Sequence, residues 1–377
     1  MVRIKAEASV LIGKLRKMAN TKFTPWRYSR VVEGYDGPKR RKYAEAQRSL
    51  LIDGPVVADD AKVKAFVKAE KRNLIEPKKP RCIQFRSARY TLALMAYLKP
   101  VAKVLDRLYN DKNPHGPRTR VFPVGMNLHR RAELIRKKFR SVEDCVALSM
   151  DASGFDYRVS AELLCVEHSV YQALQPCPEL QRLLSMQFLN TGKTKHGIRY
   201  WSYGRRMSGD ANTSVGNRLL MYLMITVAMP KVPYDLIVDG DDAIVFVSRK
   251  HAAWAQELLE TTFRSFGHKL VVEDVCTHID QIVYNQGKIT WAHGGWRLSR
   301  NPWKVLGTAF ATHLHFQEPK GGLRALRTMA QSLLVINLGV PVLQSFAVGV
   351  LRSVQEVAWM DHALDAETLR NLRLEAD

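Results

Sequence analysis

The stretch that most constrains this chain is residues 234–247, where two β-rich apolar runs, 234–238 and 243–247, flank Asp239-Gly240-Asp241-Asp242. Apolar runs around a short Asp/Gly turn predict a β-hairpin with adjacent carboxylates at its tip. Upstream, Val146-Ala147-Leu148-Ser149-Met150 predicts a buried strand ending on Asp151. If these strands are neighbours, Asp151, Asp241 and Asp242 converge. Several anions at one point are costly without countercharge, so a divalent cation is expected there. Two Mg²⁺ ions are the usual arrangement for in-line phosphoryl transfer. An Asp-Gly-Asp-Asp turn by itself is also simply a good hairpin turn, so the rest of the chain has to decide.

Charge is distributed unevenly. Residues 1–140 hold 35 basic and 12 acidic residues, while residues 141–377 hold 23 and 24, so the whole excess of +22 arises in the first third. Such a bias is expected of a surface that meets a polyanion. The basic residues are interleaved with apolar ones, as in Val63-Lys64-Ala65-Phe66-Val67-Lys68, which implies a folded basic surface rather than a loose tail. Length suggests two or three domains, and 46% hydrophobic residues exclude wholesale disorder. Five scattered cysteines form no C-x-x-C pair, which argues against a disulfide framework or zinc site and for a reducing compartment. His313 and His315 read as two ordinary histidines. The N-terminus, Met1-Val2-Arg3-Ile4-Lys5, opens no signal peptide.

The expected architecture is α+β. A basic helix is expected to about residue 51, another helix starting at Asp59-Asp60, and a helix over 90–108 interrupted near Pro100. Further helices are expected at 128–139, 161–173, 179–189, 217–228 and 251–266, with strands near 269–273 and 281–284. Residues 332–351 carry no charge over twenty positions, but Asn337, Gly339, Pro341 and Gln344 interrupt them. Gly339-Val340-Pro341 predicts two short buried helices rather than a bilayer span.

Four blocks, the hairpin among them, stand in order along the chain. Asp151-Ala-Ser-Gly-Phe-Asp156 has the D-x4-D spacing of polymerase motif A. Ser208-Gly209-Asp-Ala-Asn-Thr213-Ser-Val-Gly-Asn217 has the S-G-x3-T-x3-N spacing of motif B, and Gly240-Asp241-Asp242 follows as motif C. Upstream, Phe66-Val67-Lys68-Ala69-Glu70-Lys71 and Lys79-Pro80-Arg81-Cys-Ile-Gln84-Phe-Arg86 resemble motif F. In this set the chain resembles the RNA-dependent RNA polymerases of plus-strand RNA viruses, and among them the tombusvirus and carmovirus group. Residues 204–217 are similar to that group's motif B throughout. Residues 35–43, 86–90 and 339–343 resemble its other segments, and 284–291 loosely resembles its motif E.

The resemblance implies a right-hand polymerase with an antiparallel palm sheet and a helical thumb. Residues 1–140 would be fingers and basic N-terminal region, 141–157 palm with motif A, 158–200 a fingers insertion, 201–290 palm with motifs B to E, and 291–377 thumb. Asp151, Asp241 and Asp242 would hold Mg²⁺, for which Mn²⁺ substitutes. Asp156, Thr213 and Asn217 would read the ribose, and Ser208 and Gly209 would shape the loop beside the nucleotide. Lys68, Lys71, Arg81 and Arg86 would meet the triphosphate, Lys269 would protonate pyrophosphate, and Arg205 and Arg206 would touch the template backbone. Implied partners are template and nascent RNA, NTPs, other viral replication proteins, and host membranes through another protein, in the host cytoplasm. A reverse transcriptase shares such a palm, but Asp156 with Asn217 suits a ribose 2′-hydroxyl. An RNA-binding protein with a decayed palm would not keep the acids.

Overall fold

A computed structural model describes residues 1–70, 79–311 and 320–356. The chain opens with helix α1 (Val2–Ala19), whose Ile4, Ala8, Leu11 and Leu15 form one buried stripe. Helices α2 (Tyr28–Glu33) and α3 (Gly37–Ile52) follow, the latter with a proline in its first turn. Asp59-Asp60 does not start an α-helix. It lies in a short 3₁₀ turn, and the chain then enters strand β1 (Val63–Val67), which pairs with β2 (Cys82–Phe85). The Asp60 carboxylate accepts from Val57 N, Ser87 Oγ and Arg89 Nε, which ties this turn to the next helix.

That helix, α4 (Ala88–Leu105), runs unbroken through Pro100. Proline removes the N–H that would have bonded to Ala96 O. Here Ala96 O accepts from Trp26 N at 2.8 Å instead, so an inter-segment bond replaces the missing helical one. Helix α5 (Leu128–Ser141) is capped by the Asn127 side chain. Next come β3 (Cys145–Ser153), α6 (Phe155–Arg158), α7 (Ala161–Leu174) and α8 (Pro178–Ser185). The β4 (Leu189–Thr194) and β5 (Arg199–Tyr203) hairpin follows, then α9 (Thr213–Ala228). β6 (Asp235–Asp239), β7 (Asp242–Ser248), α10 (Ala252–Ser265) and β8 (Lys269–Cys276) complete the central part. The last section holds β9 (Val283–Tyr284), β10 (Gly287–Ala292), β11 (Gly295–Arg300), α11 (Pro302–Ala309), α12 (Gly321–Ile336) and α13 (Pro341–Ser353).

The strands form three sheets, ordered β2-β1-β4-β5, β6-β7-β3-β8 and β11-β10-β9. In the central sheet, alternation along each strand feeds two cores. Val146, Leu148, Met150, Leu236, Val238 and Val245 join the main core with α9 and α10. On the other face, Ala147, Ile237, Ile244 and Phe246 pack with α5 and the β10–β11 hairpin. Burial on both faces explains why these strands read as continuous apolar runs. Helix α9 is buried from Val215 to Ala228, as expected of a helix apolar on all sides.

The uncharged stretch divides as expected, α12 ending at Ile336 and α13 starting at Pro341. Gly339 has φ 79°, and a Cβ there would stand 2.6 Å from His293 N, so glycine is required where this turn meets the β10–β11 turn. No helix among the described residues is long and apolar enough to cross a membrane. His313 and His315 lie outside the described residues.

Candidate active site

The β6–β7 hairpin closes on the pair Asp239 and Asp242, leaving Gly240 and Asp241 as the loop. Gly240 has φ 79°, the left-handed backbone that a two-residue hairpin loop needs at its first position. Strand β3 lies antiparallel to β7 with Asp151 directly opposite Asp242. Opposed residues in such a pair have Cβ atoms about 4.5–5.5 Å apart. The sheet therefore brings the hairpin acids and Asp151, two residues before the end of β3, to one end of its central strands.

Electrostatics register this crowding. Partial enclosure, then the charges of Asp241, Asp151, Asp239 and Glu273, push Asp242 up to about 7. Enclosure, then Asp156 and Asp151, also raise Asp241, while Arg81 opposes the shift. Both aspartates keep exposed surface, and crowding by like charges adds to the desolvation that raises them. Among the described residues no three such side chains close into a ready metal-ligand set. The donor chemistry nevertheless fits a hard divalent cation: carboxylate oxygens, mutually repelling, at an open edge.

Asp151 and Asp242 line a cleft of about 940 Å³ together with Arg131, Asp239, Glu273, Tyr284, Asn285 and Arg300. Asp239 is held there from three sides. Asn285 Nδ2 donates to its Oδ2 at 3.1 Å, Tyr284 Oη at 3.3 Å, and Arg131 pairs with it at 3.5 Å. These contacts fix the hairpin tip against β9, the turn after it, and α5. No local pattern around Asp239 signals them, because Asn285, Tyr284 and Arg131 lie 46, 45 and 108 residues away in the chain.

Motif B wraps the other side. Gln84 N donates to Ser208 Oγ at 3.1 Å, and Gly209 N donates to Gln84 O at 2.6 Å. A Cβ at Gly209 would lie 2.7 Å from both Gln84 O and Phe85 Cβ, so only glycine allows this approach to β2. Thr213 Oγ1 donates to Met207 O at 3.0 Å. Helix α9 begins at Thr213, so Asn217 sits inside the helix rather than at its start and does not cap it. Its Nδ2 donates to Asp156 Oδ1 at 2.7 Å, while its Oδ1 is buried without a partner.

Motif F is only partly assembled as expected. Glu70 binds Arg81 (Nε to Oε2, 2.9 Å) and Lys68 (3.1 Å), and these contacts, Arg81 first, hold its carboxyl down at about 2. Arg81 is close enough to Asp241 for the two charges to interact. Lys71 lies outside the described residues. Arg86 departs from expectation: it is buried and paired with Asp210 (2.8 Å), with further bonds to Ala61 O, Met186 O and Asn190 Oδ1. All of its reach is spent inside the protein, so it braces the motif B loop and does not face a nucleotide.

Arg206 departs in the same way. It is buried against Glu167, whose carboxylate also accepts from Asn212 and Tyr171. Its backbone N–H donates to Asp156 O at 3.1 Å. Arg205 lies over the Tyr157 ring, 5.2 Å from its centroid. Lys269 is exposed at the start of β8, opposite Ser153.

A hairpin of acids facing an acid-bearing strand, flanked by a glycine-dependent loop and an amide–carboxylate pair, agrees with the family assignment made by sequence comparison. The chain belongs to the viral RNA-dependent RNA polymerases: the family model described as "Viral RNA dependent RNA polymerase" matches residues 3–373. Its relatives are RNA-directed RNA polymerases of the tombusvirus and carmovirus kind. That of maize chlorotic mottle virus is 31% identical over 344 residues, covering 89% of this chain and 34% of the relative. That of turnip crinkle virus is 33% identical over 317 residues (83% and 40%). That of tomato bushy stunt virus is 31% identical over 331 residues (85% and 39%). The chain thus spans about a third to two fifths of the length of these relatives.

Proposed function

We propose that this chain catalyses template-directed nucleotidyl transfer from NTPs to an RNA 3′-hydroxyl, replicating a viral RNA genome. The observation that carries this reading is the register that sets Asp151 opposite Asp242 beside the Asp241 loop. In it, residues 1–140 and 158–200 serve as fingers, 141–157 and 201–290 as palm, and 291–377 as thumb. Asp151, Asp241 and Asp242 would hold divalent cations, Mg²⁺ with Mn²⁺ as substitute. When bound, these would supply activation of the 3′-hydroxyl and neutralisation of the triphosphate charge.

The chain's own groups do the rest. Arg81, whose charge reaches Asp241, and Lys68, gathered with it by Glu70, present cationic donors for triphosphate oxygens. Ser208 and Gly209 hold the motif B loop on β2, which fixes one wall of the nucleotide site. Asn217 orients the Asp156 carboxylate, and its own buried, unpartnered Oδ1 would gain a donor if a ribose hydroxyl reaches it on nucleotide binding. Lys269 supplies a proton to the departing pyrophosphate. Template and nascent RNA are held by phosphate contacts with the basic first third, and other replication proteins bring the polymerase to membranes in the host cytoplasm. The test is RNA-templated incorporation of NTPs with Mg²⁺ by the wild-type chain and by Asp241→Asn. Incorporation lost only in the variant supports the reading, and equal synthesis by both refutes it.

A further inference from the structure

The β2-β1-β4-β5 sheet has one face that no part of the proposed chemistry uses. Its register places Leu189 opposite Tyr203, Thr191 opposite Trp201 and Lys193 opposite Arg199. Lys193 in turn aligns with Lys64, Lys64 with Phe85, and Phe66 with Ile83. All of these side chains share one side of the sheet, because side chains alternate with period two. The opposite side carries Gly192 and Tyr200, packed directly on each other.

The shared side is open and chemically uniform. Trp201 is 72% exposed, Tyr203 64% and Phe66 52%. Lys64, Lys193 and Arg199 are exposed between them. The four strands contain no Asp or Glu. At the β2 edge, Phe66 meets Phe85 edge-on at 5.6 Å, and Lys42 of the basic helix α3 lies 5.6 Å from the Phe85 ring, so the cationic character continues beyond the sheet. Large aromatic rings left in water mark a contact surface. A protein partner would favour a core depleted of lysine. Rings alternating with cations fit a polyanion that also offers π faces.

We propose that this face docks single-stranded RNA, with bases stacking on Trp201, Tyr203 and Phe66 and phosphates meeting Lys64, Lys193 and Arg199. It deepens the polymerase reading, on which it rests, by adding an RNA contact on a sheet separate from the one that bears the carboxylates. Stacking tolerates any base, so the surface guides strands without selecting sequence.

The test uses the full chain and a fluorescein-labelled oligouridylate, with Kd measured over a range of salt. The aromatic pair of changes, Trp201→Ala with Tyr203→Ala, is expected to raise Kd roughly ten-fold or more and leave the salt slope unchanged. Trp201→Phe in place of Trp201→Ala keeps a π face and should restore most of the affinity. Lys193→Ala with Arg199→Ala should flatten the plot of log K against log salt by about 0.7 per phosphate contact removed. Single-nucleotide addition on a saturating, pre-annealed template–primer should keep its wild-type rate in these variants. A wild-type chain that neither binds the oligomer nor adds nucleotides would sink the polymerase reading itself. A wild type that does both, with variants of unchanged affinity and slope, overturns only this surface. Variants that bind RNA normally but sediment as a smaller species would assign the face to self-association and likewise overturn RNA docking.

Discussion

The Asn217 side chain donates through Nδ2 to Asp156 Oδ1 at 2.7 Å, and its Oδ1 is left buried with no partner. A buried acceptor without a donor is costly, and a bound hydroxyl removes that cost. The arrangement predicts sugar selection. Asn217→Ala or Asp156→Ala should lose more activity on GTP than on dGTP, narrowing the kcat/KM ratio by roughly ten- to a hundred-fold. Both substrates read opposite the same template cytosine provide the measurement. An unchanged ratio would assign the pair to helix packing alone.

Arg86 yields a contrasting prediction. Removing it leaves Asp210 buried and unpaired, so Arg86→Ala should cost about 3–5 kcal/mol of stability. Denaturant unfolding checks the cost. A normal unfolding midpoint together with a raised nucleotide KM would return Arg86 to the triphosphate site.

Lys68 and Arg81 behave differently, because both are exposed and gathered by the Glu70 carboxylate. Lys68→Ala combined with Arg81→Ala should raise nucleotide KM or lower kcat while barely moving the unfolding midpoint. Steady-state kinetics at saturating template decide it, and unaltered constants would remove the pair from the nucleotide channel.

Acid should weaken the fold through His168. Burial first, then the Arg206 charge, lower it from the ordinary 6.5 to about 4, against the opposing pull of Glu167 and Gln187. Between pH 6.5 and 4 the unfolded chain therefore binds more protons than the folded one. Stability from this residue is complete above about pH 6.5 and is lost as pH falls towards 4. Tm measured across that window should fall less steeply in His168→Gln than in wild type, and parallel curves would contradict the assignment.

The site was legible where chemistry is written in contiguous residues. The hairpin acids fall where their turn placed them, whereas β3 runs two residues past Asp151 and α9 begins at Thr213, four residues before the expected start. The β2-β1-β4-β5 sheet was not anticipated, since its central pairing joins β1 to β4 more than a hundred residues away and its strands show no simple apolar alternation. Arg86 and Arg206 misled for a related reason. An arginine in a basic stretch reads as a surface charge, and only the fold reveals Asp210 and Glu167 waiting 124 residues downstream and 39 upstream. Pro100 reads as a break in sequence because the Trp26 N–H that replaces its missing bond comes from a distant segment.

The central claim is that the Asp241 carboxylate, raised by enclosure and by Asp156 and Asp151, serves metal-dependent nucleotidyl transfer and not the fold. Asp241→Asn keeps the shape of the hairpin tip and removes its charge. The decisive measurement is single-nucleotide incorporation on an RNA template–primer with Mg²⁺, alongside RNA affinity and Tm of the same protein. The account predicts incorporation lost by at least about three orders of magnitude, with RNA affinity retained and Tm unchanged or raised, since relief of carboxylate repulsion favours the metal-free fold. Substantial incorporation by Asp241→Asn, with its fold intact, would contradict it.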